Sequence, residues 1–297
     1  MDMMSYKFLW KFATLVLFLF FQSSCATTVP GLSTSVTGVL RGNVSWQGTV
    51  FIGGDVMLEK GAKLTIAPGT EIVFLPPAPG QDIYTVSPNF PGSELIIRGT
   101  LIAEGTAAAP IFFRYVDPKA SAGSWGGINL LESPETRLRQ VRIIQANSAI
   151  HSHRSKVVIE ESVVANNLFG LRFSSTNFLI QDNLLRENGT AIRFHFGAPV
   201  IRNNVITDNE KGIFITSYPD NYRIEGNNIV ANRIYSVVLG EEVPADVRLT
   251  GNYWGTDKPE AIVTSFYDGR TDVFLGKVLF EPFEETSFSS IGVTWKP

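Results

Sequence analysis

Three stretches decide the fold: "VIEESVVANNLFGLRF" (158–173), "LIQDNLLRENGTAIRF" (179–194) and "VIRNNVITDNEKGIFI" (200–215). Each begins 21 residues after the one before. "YRIEGNNIVANRIYSVVL" (222–239) continues the series after an insert, and "VRLTGNYWG" (247–255) closes it. Upstream, "RQVRIIQANSAIHS" (139–152) fits with one residue fewer between its turn and its strand. Within each copy the apolar residues alternate, as Leu171 and Phe173, Ile192 and Phe194, Ile213 and Ile215. Alternation is the period of a strand, and the 3.6-residue spacing of a helix is absent. Short strands broken by turns at this repeat predict an all-β solenoid whose parallel coils stack at about 4.8 Å.

Asparagine recurs at the turns of this repeat. In a solenoid, equivalent residues lie above one another, and the alignment gives two columns. One is Asn183, Asn204, Asn228 and Asn252, preceded by Ser162. The other is Asn167, Asn188, Asn209 and Asn232. Asparagine tolerates the left-handed backbone of a sharp corner. Its amide also donates and accepts, so stacked copies can bond along the column. These columns are expected to be structural corners, since a ligand site would not need the same residue in every coil. Gly170, Ala191 and Gly212 form a small-residue column that reads as a tight bend.

The earlier part of the chain has the same character. "GTVFIGGDVMLEKGAKLTIAPGTEIVF" (48–74), "SELIIRGTLIAEG" (93–105) and "APIFFRY" (109–115) read as the first coils. The proline-rich segment 75–92 reads as a loop inserted between coils, a usual place for function. The predicted solenoid spans 37–255. Residues 256–297, with Phe266, Tyr267, Phe274, Phe280, Phe283 and Trp295, are expected to cap its open end.

The first residues read differently. Lys7 and Lys11 flank the apolar run "FATLVLFLFF" (12–21), which is too short to span a bilayer but suits an export signal. Cys25, the chain's single cysteine, follows Ser23 and Ser24, a pattern that resembles a bacterial lipoprotein signal. The expectation is a signal peptide over 1–24, a lipidated Cys25, and a small polar tether over 25–36. No disulfide can then brace the folded part. Net charge is −3 over 297 residues, with no basic stripe of the kind that tracks nucleic acid.

The stretches "GAKLTIAPGTEIVF" (61–74), "GTLIAEGT" (99–106), "SWGGI" (124–128) and "GNYWGTDKPEAIVTSFYDGRTDVFLGKVLFEPF" (251–283) resemble the right-handed parallel β-helix proteins, the superfamily that contains pectate lyases. The resemblance covers about 37–283 and implies one right-handed parallel β-helix with capped ends. It says little about activity, because this fold hosts lyases, hydrolases, epimerases, adhesins and maturation factors. The clustered acidic calcium ligands, paired aspartates and Tyr-Gly…Asp-Pro-His signature of those enzymes do not occur here. Glu160 and Glu161 are adjacent, so in a strand they would point to opposite faces rather than share a metal.

One outward cluster stands apart. His151, Arg172, Arg193 and Phe214 share one column, and His153, Ser174, His195 and Thr216 share the next. All three histidines thus gather on one sheet face with two arginines, a candidate site for an acidic sugar chain or carboxylate. His151 and His153 could share a metal only with outside help, so no metal and no cofactor are expected. The sequence points to an exported, lipid-anchored envelope scaffold or glycan-binding protein, its partners the membrane and a polysaccharide or envelope protein. The alternative is a lyase- or hydrolase-like enzyme on an acidic glycan, with Arg172 or Arg193 as base or charge stabiliser.

Overall fold

The computed structural model describes residues 35–80, 90–219 and 221–296. The signal segment, Cys25 and most of the tether lie outside the described residues, as do residues 81–89 of the insert. The described residues form one unit, a parallel β-solenoid. A typical coil contains three strands, Lys156–Glu160, Val163–Ala165 and Phe169–Ser174. The next repeats it as Asn177–Gln181, Leu184–Arg186 and Thr190–His195. The three strands of a coil face three directions, called here the first, second and third faces. The first face is an eight-stranded parallel sheet, from Asn43–Trp46 to Arg223–Glu225. Ladder hydrogen bonds run between coils, so no strand pairs with its own sequence neighbour across a hairpin.

Inward residues make the core. Leu138, Ile159, Ile180, Ile201 and Ile224 stack below the first face. Ile150, Leu171, Ile192 and Ile213 stack below the third. Each is buried, worth about 1.5–3 kcal/mol relative to an exposed position. The rings of Phe173 and Phe194 lie 5.2 Å apart and nearly parallel, so coil stacking becomes ring stacking.

The corners correct two sequence expectations. The first ladder runs Asn183, Asn204, Asn227, Asn252, and Asn228 is not part of it. Asn204 Nδ2 donates to Asn227 Oδ1 at 2.9 Å, and Asn227 Nδ2 to Asn252 Oδ1 at 2.9 Å. The insert after Ser217 lengthens this coil by two residues, so Asn228 pairs with Val205 in the following strand. Its amide instead holds the backbone of Phe288. The second ladder links Asn167, Asn188, Asn209 and Asn232 in sequence. In both, each Oδ1 after the first accepts from the side chain and the backbone N–H of the asparagine one coil earlier, as Asn204 does from Asn183. The left-handed backbone belongs to the residue before the ladder asparagine: Asp182, Asn203 and Gly226 at one corner, Asn166, Glu187 and Asp208 at the other. Ladder asparagines are there for their hydrogen bonds.

The small-residue column also has a different cause. Gly170 and Gly212 are not left-handed. A Cβ on Gly170 would lie 2.5 Å from the carbonyl oxygen of Ala191, and one on Gly212 2.6 Å from that of Ser236. The next coil's backbone leaves no room there.

Beyond the coils, one short helix, Pro259–Val263, buries Ile262. Trp254, Phe266 and Phe280 pack edge to face at the C-terminal end. Phe274, grouped with these rings from the sequence, is 83% exposed. Residues 284–296 turn back along the second face. Glu284 bridges to Tyr253, Phe288 to Asn228, and the Gly292 N–H to the carbonyl of Asn203. Trp295 packs on Val163 and Ala165, with its Nε1–H donating to the carbonyl of Glu161 at 2.6 Å. Trp295 is thus part of a strap crossing several coils.

Candidate functional site

The third face carries the site. Strand pairing sets Asn129, His151, Arg172, Arg193 and Phe214 in one outward column. His153, Ser174 and His195 occupy the next. His151, His153, Arg172, Ser174, Arg193 and His195, with Thr216 and Glu242, line a cleft of about 460 Å³. The structure therefore brings together all five residues singled out from sequence: His151, His153, Arg172, Arg193 and His195.

Aromatic rings fill the gaps between the cations. The Arg172 guanidinium sits 5.8 Å from the Phe90 ring and 5.5 Å from Phe169. That of Arg193 sits 5.8 Å from Phe169 and 5.2 Å from Phe214, and the Lys211 ammonium lies 5.7 Å from Phe214. Phe169 thus flanks both guanidinium groups from a neighbouring column. Such contacts contribute about 0.5–2 kcal/mol each. They do not neutralise charge. Among the described residues neither guanidinium has a carboxylate or hydrogen-bond acceptor in reach. Desolvation lowers the pKa of both, and the Arg193 charge lowers that of Arg172 further. Two desolvated like charges one coil apart thus face outward with no counter-ion among the described residues.

His151 and His153 are held toward the neutral form. Phe90, from the end of the insert, covers His151 edge-on at 5.1 Å, leaving it 2% exposed. Burial, then His153, then Arg172 push the His151 pKa down to about 3. Burial, Arg154 and Arg172 lower that of His153. His151 Nδ1 lies 3.1 Å from Asn129 Oδ1, while Asn129 Nδ2 and His153 Nε2 are buried with no hydrogen-bond partner among the described residues.

At the other end, the Ser217 hydroxyl donates to Glu242 Oε2 at 2.5 Å and lies 2.8 Å from His195 Nδ1. Serine, histidine and acid meet here, but not as a nucleophilic triad, where histidine sits between the other two. Ser217 is fully buried and bonded directly to the carboxylate.

Sequence reasoning missed Phe90, Phe169, Glu242 and Ser217. Phe169 was within reach of the repeat alignment, because it heads the strand that carries Arg172. Phe90 comes from the insert, and Glu242 from a strand that pairs past a register shift, where the 21-residue spacing does not apply.

The sequence family described as periplasmic copper-binding protein (NosD) matches residues 115–257. No curated protein matches significantly. Among solved structures, a mutant of the periplasmic alginate epimerase AlgG is similar at 16% identity, over 85% of this chain and 75% of that one, with a TM-score of 0.31. The coil register and stacked sheets establish the architecture by themselves. The chain is a parallel β-helix repeat protein.

The copper in the matched family's description can be tested against the donors present. The His151 and His153 rings lie 4.5 Å apart, but His151 Nδ1 is engaged by Asn129. The Arg172 charge that disfavours a proton on either imidazole disfavours a metal cation equally. Among the described residues no group of three or more His, Cys, Asp or Glu side chains gathers to hold an ion. These residues do not fit copper.

Proposed function

We propose that this β-helix protein is exported, anchored in the cell envelope through a lipid on Cys25, and binds an acidic glycan along its third face without transforming it. The observation that carries the reading is the pair of desolvated guanidinium groups, Arg172 and Arg193, stacked in register and without a counter-ion among the described residues. An anionic group placed across them would gain charge-assisted, bidentate hydrogen bonds and relieve the repulsion between them. Flanking rings offer apolar surface to a sugar's C–H faces, as ligand sites commonly do. The periplasmic description of the matched family supports an envelope location.

An enzymatic reading has one favourable observation, the lowered pKa of both arginines, which suits a proton-abstracting base. Against it, among the described residues Glu242 is the one carboxylate lining the cleft, where glycoside hydrolysis uses two. Calorimetric titration with acidic oligosaccharides, with product absorbance followed in parallel, separates the readings. Binding without product, lost in Arg172→Gln/Arg193→Gln, is expected. Turnover abolished by Arg193→Ala would establish the enzyme.

A further inference from the structure

Beyond Arg193 the cleft changes sign. Its far end is formed by Glu242, whose side chain is 65% exposed and whose carboxylate is fixed by Ser217. The adjoining Glu241 is exposed too. A second cleft of the same volume, about 460 Å³, opens around the corner from the third face to the first. Tyr218 and Tyr222 line it, together with Asp246 and Arg248. The two clefts share a boundary: Thr216 lines one and Tyr218 the other, and the Tyr218 N–H donates to the carbonyl of Glu242 at 3.3 Å.

The second cleft has a different chemistry. Arg223 is neutralised by Glu225 at 2.7 Å, and Asp246 accepts from the backbone of Lys277. Two phenol rings and their hydroxyls remain, with Thr250 and the apolar Ile224 and Leu279. The Tyr222 hydroxyl is fixed by the Arg248 backbone N–H at 2.6 Å. This surface offers rings and hydroxyls with balanced charge, the pattern that suits an uncharged sugar.

We infer that the ligand is a mixed glycan: an acidic unit on Arg172 and Arg193, followed past Glu242 by neutral units in the Tyr218–Tyr222 cleft. This rests on the reading of the arginine pair given above and adds the composition of the chain it holds. A uniformly acidic polymer would bring a carboxylate against Glu242, and like charges brought together oppose binding. Glu242 is then a specificity-determining residue.

The test uses two hexasaccharides of equal length, one all uronate and one with a single terminal uronate followed by neutral hexose units, titrated into the protein by calorimetry at low salt. The mixed chain is expected to bind at least about ten-fold more tightly, a difference of about 1.4 kcal/mol. Glu242→Gln should raise affinity for the all-uronate chain several-fold and so narrow the gap between the two chains. Tyr218→Ala should weaken the mixed chain alone. Equal or tighter binding of the all-uronate chain, with no response to Glu242→Gln, overturns the inference while leaving the arginine site intact. If neither chain binds, or binding survives loss of both arginines, the arginine reading fails and this one with it.

Discussion

The first and third faces of this solenoid treat arginine in opposite ways. On the first face Arg139 bonds Glu161 at 2.7 Å, Arg202 bonds the Gln181 amide at 2.8 Å, and Arg223 bonds Glu225 at 2.7 Å. On the third face Arg172 and Arg193 have rings beside them and no acceptor among the described residues. Both faces are built from the same repeat with the same register, so the coil does not dictate the difference. Paired arginines on an exposed sheet are the ordinary way to cover a surface. Unpaired, desolvated ones are costly to fold around, and their arrangement points to binding.

This contrast can be broken at several points. The largest effect should come from pH. His151 is held at about 3 when folded, against 6.5 for an unperturbed histidine. Between those values the unfolded chain binds the extra proton. The contribution is therefore complete above pH 6.5 and lost as pH falls toward 3, by up to about 5 kcal/mol. Urea midpoints near pH 7 and pH 4 should differ by much less in His151→Gln than in the parent, and identical pH profiles would remove His151 as the cause.

Asn204→Leu should cost about 3–5 kcal/mol, because it strips partners from the buried Asn183 N–H and the Ile180 carbonyl. The same comparison one coil on is sharper. Asn227→Ala should lower the melting temperature more than Asn228→Ala, and the reverse order would mean that the ladder runs through Asn228.

Arg172→Gln/Arg193→Gln should weaken acidic-oligosaccharide binding by about 100-fold, near 2.7 kcal/mol, yet leave the melting temperature unchanged or raised. A fall in melting temperature would show that these arginines are structural. The smallest effect belongs to the first face: Arg139→Gln should lower stability by about 0.2–1 kcal/mol, with no change in binding.

Most of the fold was readable because a solenoid writes itself into sequence at a fixed period. Ile192 and Phe194 announce their burial by matching Leu171 and Phe173 one coil away. The site was readable wherever it obeys that period, which is why His151, Arg172 and Arg193 could be set in one column. It failed where coils change length. The insert after Ser217 places Asn227 in the ladder in place of Asn228, and a further register shift between Ile215 and Ser217 brings Glu242 opposite Ser217. Phe90 escaped for another reason: an insert's landing place depends on tertiary packing, which no local pattern records. The corner chemistry was half legible. Asparagine at a turn was informative, but the residue in the left-handed conformation proved to be its predecessor, often an aspartate or glutamate with no evident turn signature.

The strap over the second face has a bearing on how the molecule is made. Thr294 and Trp295 hold Glu161, 133 and 134 residues earlier in the chain, and Phe288 holds Asn228, 60 residues earlier. Coils can wind one after another as the polypeptide is delivered from its N-terminal side, each needing only its predecessor. The strap's contacts close last and across the longest loops, the slowest kind to form. Until residues 284–296 arrive, the growing stack is wound but not fastened.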